Sequence, residues 1–333
     1  MSDEEPQAGV GIDIGTMNLV SARKYGDTVR TKRMRDAFLD LDSELKNMLE
    51  MSDMSYIEYD DQILVLGDPA FELAKMNVID RDVRRPLSRG LISSEEVDAL
   101  EVLSILIENV VGEPVEEGEV CCYSVPADPI DMDRDNTYHE SVFERLLDEL
   151  GYEPVSGNEA MAIIYSECAD TGFSGISLSF GAGMVNAAMA YKTISTLEFS
   201  VGRGGDWIDE KTAKAVNSTP SKICSMKESG VDISDPTSRN EEALSVYYKS
   251  LINDALDLVT KKFKESQSDV DLSEELPIVV SGGTSLVGGF LPFFKDVFAE
   301  REDDFPIEVS EIRQADDPME AVAQGLLVQA MQR

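Results

Sequence analysis

Gly11-Ile12-Asp13-Ile14-Gly15-Thr16-Met17-Asn18-Leu19-Val20 is the stretch on which the fold turns. Apolar residues run up to Gly15 and resume at Leu19. That reads as a buried strand over residues 10–15, a turn at residues 15–18 and a second strand over residues 19–25. A glycine turn has no Cβ in the way, so backbone N–H groups can approach phosphate oxygens. Asp13, on the last turn of the first strand, is placed to hold a hydrated Mg²⁺, an ion that keeps several waters and uses few protein carboxylates. A plain β-hairpin with an exposed aspartate has the same signature, and one hairpin does not separate the two readings.

The pattern occurs a second time, at Ser177-Leu178-Ser179-Phe180-Gly181-Ala182-Gly183. Strands are expected over residues 175–180, 184–191 and 194–201, so each half of the chain opens on the same hairpin. This suggests two related lobes facing each other across a cleft, with Gly15 to Asn18 gripping a polyphosphate from one side and Gly181, Ala182 and Gly183 from the other. A third glycine site, Ser281-Gly282-Gly283-Thr284-Ser285, follows a strand at residues 277–280 and can lie flat against a base or sugar. Helical spacing of apolar residues predicts helices over residues 95–111, 138–150, 158–169, 244–259 and 315–332. Asp60-Asp61 reads as the turn of a further hairpin.

Sixty-five acidic residues against 29 basic ones give a net charge of −36, in a chain whose 42% hydrophobic content is ordinary for a globular protein. In dilute buffer that charge opposes compaction and self-association. In molar salt, where the Debye length falls to roughly 3 Å, the penalty largely disappears. The acidic residues are spread along well-patterned helices, which suits a salt-loving cytoplasm and makes nucleic acid and anionic membrane poor partners. Cys121, Cys122, Cys168 and Cys224 have neither metal-site nor disulfide spacing, and His139 is the single histidine, so a zinc site is not expected. Residues 1–9 are acidic with no apolar leader, so the expected location is the cytoplasm. Two basic groups stand out: Arg23, Lys24, Arg30, Lys32, Arg33 and Arg35, and then Arg81, Arg84, Arg85 and Arg89. They fit either a head-to-tail contact with the next subunit or local neutralisation of nearby acids.

Several motifs, in order along nearly the whole chain, resemble those of the bacterial rod-shape actins, the MreB family. Residues 11–20 are similar to its first phosphate motif, and Arg85-Pro86-Leu87-Ser88-Arg89-Gly90-Leu91-Ile92 to its segment leading into a core helix. Ser124-Val125-Pro126 is similar to its strand ending before the cleft. Asn158-Glu159-Ala160-Met161-Ala162 resembles the first connecting motif, residues 281–286 the adenosine motif, and residues 317–325 the second connecting motif. Haloarchaeal actin homologues of the salactin and volactin type are the nearest relatives suggested.

The resemblance implies an α/β, actin-like (ribonuclease H-like) fold of two related lobes with a nucleotide between them. Lobe I would take residues 8–145 and 312–333, with a small insertion at about 30–75. Lobe II would take residues 146–311, with an insertion at about 205–245, and residues 1–7 would be disordered. It implies ATP or GTP with Mg²⁺ as cofactors, Asp13 organising the metal through water, and Glu159 orienting the attacking water. Gly15, Thr16, Met17 and Asn18 would bind phosphate, and so would Gly181, Ala182 and Gly183. Gly204, Gly205, Asp206, Lys227, Gly282, Gly283 and Thr284 would complete the nucleotide site. The implied function is a dynamic head-to-tail filament with adaptor partners, serving cell shape, motility or intracellular positioning. The sequence departs from the family at Ser179, where an aspartate is usual, which points to slow or altered hydrolysis. It also lacks an apolar loop or amphipathic N-terminus for direct membrane attachment. A nucleotide-binding scaffold that does not polymerise, or a small-molecule kinase, remains an alternative on the same fold.

Overall fold

The computed structural model describes residues 5–51, 56–59, 62–75, 83–96, 98–133, 135–266 and 274–333. The Asp60-Asp61 turn, Arg81 and Val97 of the expected helix at 95–111 lie outside these residues, as do residues 1–4 of the N-terminus.

The first hairpin forms as the apolar alternation requires. β1 (Pro6–Ile14) and β2 (Asn18–Tyr25) pair antiparallel, and β3 (Thr28–Arg35) adds to β2. Residues 6 and 7 belong to this sheet, Pro6 lying opposite Tyr25 and Gln7 Nε2 donating to Gly26 O at 3.1 Å. β4 (Phe38–Asp42), β5 (Ile57–Tyr59) and β6 (Gln62–Leu66) make a small sheet in the order β4-β6-β5, flanked by α1 (Lys46–Met51) and α2 (Asp68–Lys75). A two-residue turn joins β7 (Leu87–Ser88) to β8 (Leu91–Ile92), and α3 (Ala99–Val111) follows. β9 (Val120–Val125), α4 (Thr137–Glu149) and β10 (Glu153–Asn158) complete the first layer, and α5 (Glu159–Glu167) leaves it.

The second half repeats the plan. β11 (Gly175–Phe180), β12 (Val185–Tyr191) and β13 (Ile194–Val201) form the meander, followed by α6 (Gly205–Val216), α7 (Pro220–Glu228) and α8 (Arg239–Ser266). β14 (Leu276–Ser281), α9 (Phe290–Ala299) and β15 (Val309–Gln314) lead to α10 (Ala321–Ala330). The two five-stranded sheets have the orders β10-β9-β1-β2-β3 and β13-β12-β11-β14-β15. In each, three antiparallel strands are extended by two parallel ones, so the hairpin repeat read from the sequence is a repeat of whole sheets. The sheets also set the division of the chain. β10 belongs to the first sheet and β15 to the second, so the chain passes from one sheet to the other after Asn158.

The outer face of each sheet carries its own core. Val102, Leu103 and Leu106 of α3 and Phe143 of α4 fill one, and Phe180, Phe290, Phe294 and Tyr248 the other. Phe180 meets Phe290 edge-on with centroids 5.3 Å apart. Burial of each such side chain stabilises by about 1.5–3 kcal/mol. Alternation along β11 follows from this: Ile176, Leu178 and Phe180 point to that core, and Ser177 and Ser179 point to the other face. Between the sheets lie α5 and α10, packed through Ala160, Ala162, Ala321, Val322 and Leu326 against Ala188, Ala190 and Val279. Small residues are needed here because a Cβ on Gly11 would lie 2.2 Å from Ala323 O.

Among the described residues, no helix is long and apolar enough to cross a membrane. Four members of the two basic groups pair with acids of the same chain. Arg23 is buried against Glu119 and Tyr152 (NH2 to the Tyr152 hydroxyl, 3.0 Å), and Arg84 meets Asp40, Glu96 and Asp98 at 2.7–3.3 Å. Arg35 pairs with Asp68 and Glu228, and Arg85 with Asp206. For these four residues local neutralisation is what the fold uses.

Candidate functional site

The two glycine turns close in the same way. Gly15 N donates to Asn18 O at 3.0 Å, and Gly181 N donates to Met184 O at 2.9 Å. They face each other across a cleft of about 500 Å³ lined by Asp13 to Asn18, Gly181 to Met184, Glu159 and Gly282 to Thr284. The tip of the β7–β8 turn sits between them, Thr16 Oγ1 accepting from Gly90 N at 2.9 Å. A Cβ on Gly183 would lie 2.3 Å from Thr16 Oγ1 and 2.5 Å from Gly90 N, so only glycine allows this approach.

Behind the second turn is a backbone scaffold. Thr284 Oγ1 donates to Gly181 O at 2.8 Å, and Gly205 N and Asp206 N donate to Gly181 O and Ala182 O at 2.9 Å. Gly282, at φ +88°, lets the β14 turn lie on Phe180, where a Cβ would come 2.4 Å from Phe180 O. Gly204 differs from the expectation that it faces the ligand. It packs beneath the second turn, where a Cβ would meet Gly181 O at 2.5 Å, and it is not part of the cleft wall. Gly205, Asp206, Lys227, Gly282, Gly283 and Thr284 do line the cleft. Lys227 Nζ lies 2.8 Å from Asp209 and donates to Gly205 O at 3.2 Å. Burial pushes the Asp209 carboxyl up to about 6, against the pull of Lys227.

Asp13 and Glu159 both line the cleft, near enough for the charge of one to act on the other. Asn158 caps α5, its Oδ1 accepting from Ala160 N and Met161 N at 2.9 and 3.0 Å, and this holds Glu159 in the first helical turn. Both carboxyls are raised above their usual range. Burial does this at each, and the Asp13 charge adds to it at Glu159, while Ser124 opposes it at Asp13. Two half-buried, neighbouring carboxylates that repel one another in an open cleft fit a bound cation. Among the described residues no cluster of three metal-ligating side chains exists, so such a cation would take its remaining ligands from water or a bound phosphate.

Asn186 and the ion pairs beside the cleft were not read from the sequence. Asn186 Nδ2 donates to Glu159 Oε2. Arg85 pairs with the cleft-lining Asp206 at 2.9 Å, and Arg35 and Glu228, both lining the cleft, pair at 3.1 Å. Asp36, fully buried, has no hydrogen-bond partner on either carboxylate oxygen among the described residues. Its pKa is held high by burial, with nearby Arg85 opposing. Asn186 and Asp36 have no motif of their own by which the sequence could have flagged them.

A search of curated protein sequences finds no match. Solved structures give the fold. The chain is similar to the MamK double helical filament (TM-score 0.75, 17% identity, 97% of this chain and 98% of that one). It is similar to MreB 5 of Spiroplasma citri bound to AMPPNP (TM-score 0.68, 14% identity, 96% and 94%). The ethanolamine utilization protein EutJ from Carboxydothermus hydrogenoformans is also similar (TM-score 0.57, 17% identity, 97% and 90%). The sequence model of the volactin family matches residues 9–330, nearly the whole chain. With both halves carrying the same sheet and the same turn over one cleft, the chain belongs to the volactin family and has the fold of an MreB-like member of the actin superfamily.

Proposed function

We propose that this chain binds ATP or GTP with Mg²⁺ in the cleft and polymerises head-to-tail into dynamic filaments, with slow hydrolysis driving turnover. The observation that carries this reading is the pair of matched glycine turns facing each other over Asp13 and Glu159. Backbone N–H groups of Gly15, Thr16, Met17 and Asn18 would hold phosphate from one side and those of Gly181, Ala182 and Gly183 from the other. Asp13 would hold the metal through water, and Glu159 would orient the attacking water. When bound, the cation neutralises charge on the transferring phosphoryl group.

Polymerisation is supported by the likeness to MamK, described as a double helical filament. Nucleotide binding is supported by the likeness to a non-polymerising MamK mutant and to MreB 5, both bound to AMPPNP. Ser179, with no charge to add to a metal shell, supports slow turnover. The net charge of −36 suits subunits that meet in molar salt, as in a haloarchaeal cytoplasm. Cell shape, motility or intracellular positioning, reached through adaptors, are the processes that fit such a polymer. A non-polymerising nucleotide-binding scaffold is the second reading, because the same fold is shared with a protein named for ethanolamine utilization and fold does not fix function.

Titration calorimetry with Mg-ATP and Mg-GTP in molar KCl tests the site. Saturable one-to-one binding of at least one nucleotide, weakened by Asp13→Asn, is expected. Absence of binding by either nucleotide at every salt concentration would overturn the proposal.

A further inference from the structure

Ser281, Ser179, Asn186 and Ser200 stand in register on β14, β11, β12 and β13. All four are buried. They form a polar row on the inner face of a sheet that otherwise presents Ala188, Ala190 and Val279. A buried polar row costs free energy unless its groups are paired, so its pairing carries information.

Asn186 is pinned at both ends. Its Nδ2 donates to Glu159 Oε2, and its Oδ1 accepts from Ser200 Oγ. An ionised carboxylate only accepts, so the amide must turn its NH₂ toward Glu159 and its carbonyl toward Ser200. Ser200 is fully buried and does not itself line the cleft, so its hydroxyl sets the amide from behind without competition from solvent. The chain of contacts therefore runs from the far strand of the second sheet to the carboxylate on α5. Ser179, directly opposite Asn186 on β11, leaves this row without a charge.

We infer that Asn186 is a positioning residue, held by Ser200, that fixes the Glu159 carboxylate in the orientation needed to aim the attacking water. This rests on the proposed role of Glu159. Displacing a catalytic group by about 1 Å can cost on the order of 10²-fold in rate. Losing the donor altogether therefore has a larger effect than loosening it.

The test is phosphate release at saturating Mg-nucleotide in molar KCl, with nucleotide KM measured alongside. Ser200→Ala is expected to lower kcat about 3–10-fold and Asn186→Leu about 10–100-fold, with KM within about twofold of wild type. Ser200→Thr, which keeps the hydroxyl, is expected to retain the wild-type kcat. Because Ser200 is remote from the nucleotide, its variants carry the test if Asn186→Leu fails to fold. Wild-type kcat in both Ser200→Ala and Asn186→Leu, with Glu159→Gln inactive, would overturn this inference alone. A rise in KM with kcat unchanged would mark the row as merely structural and overturn it as well. Equal phosphate release by wild type and Glu159→Gln would overturn both the inference and the catalytic reading beneath it.

Discussion

Gly325 of α10 runs so close to Ala162 of α5 that a Cβ on Gly325 would lie 1.8 Å from the Ala162 carbonyl oxygen. The atom it would strike is backbone, which cannot turn aside. In an ordinary helix interior Gly→Ala stabilises by about 1 kcal/mol. Here the sign reverses, because the two helices between the sheets must move apart. Gly325→Ala is expected to destabilise the fold by about 1–3 kcal/mol, the range for overpacking a tight core. Urea denaturation in molar KCl reads it, and equal or greater stability than wild type would contradict this packing.

The approach of the two phosphate turns makes a separate prediction. Gly183→Ala would place a methyl 2.3 Å from Thr16 Oγ1 and against Gly90 N. Widening the gap between two sets of donors should weaken nucleotide binding at least about tenfold, equivalent to about 1.4 kcal/mol. Calorimetric titration measures this, and an unchanged Kd would mean the turns do not grip one ligand together.

Beside the cleft Asp206, the partner of Arg85, is less exposed than Glu228, the partner of Arg35, while the two arginines are equally exposed. Molar salt screens exposed charges strongly and sheltered ones less. Arg85→Met is therefore expected to speed nucleotide dissociation several-fold in molar KCl, and Arg35→Met to change it little. Stopped-flow chase of a fluorescent nucleotide gives both rates. A larger effect at Arg35 would contradict the ranking.

His139 gives a pH prediction away from the cleft. Neither ring nitrogen has a hydrogen-bond partner among the described residues, and the ring packs edge-on to Phe143 at 4.5 Å. Burial lowers its pKa from 6.5 to about 3. Below pH 6.5 the unfolded chain binds a proton that the folded chain refuses. Stability from this group is therefore lost progressively as pH falls from 6.5 toward 3, at up to about 1.4 kcal/mol per pH unit. His139→Leu should flatten the fall in melting temperature between pH 7 and 5; parallel curves for wild type and variant would refute this.

What the sequence disclosed follows from physics that acts locally. The two glycine hairpins were legible because buried alternation and a Cβ-free turn leave a pattern within ten residues, and the helix at 244–259 because its apolar face repeats. β3 was missed because Thr28–Arg35 is an edge strand with much of its length exposed, so it carries charges in place of an apolar face. β10 was missed because Pro154 and Gly157 read as breakers, although Gly157 is needed where Leu326 and Gln329 come close. The closing helix was expected from residue 315, but α10 starts at Ala321, and Pro318 and Met319 before it line the cleft. Asn186 and Asp36 could not be assigned. Asn186 acts on a residue far along the chain, Glu159, and Asp36 feels the charge of distant Arg85, and no local spacing encodes either relation.

Electron microscopy of the purified chain with Mg-ATP and with Mg-GTP, in molar KCl and in low salt, bears on the polymer itself. Filaments that form with nucleotide in molar KCl and disperse in low salt are the expected result. Tight nucleotide binding with no filaments at any salt concentration would contradict the cytoskeletal reading and leave a nucleotide-binding scaffold in its place.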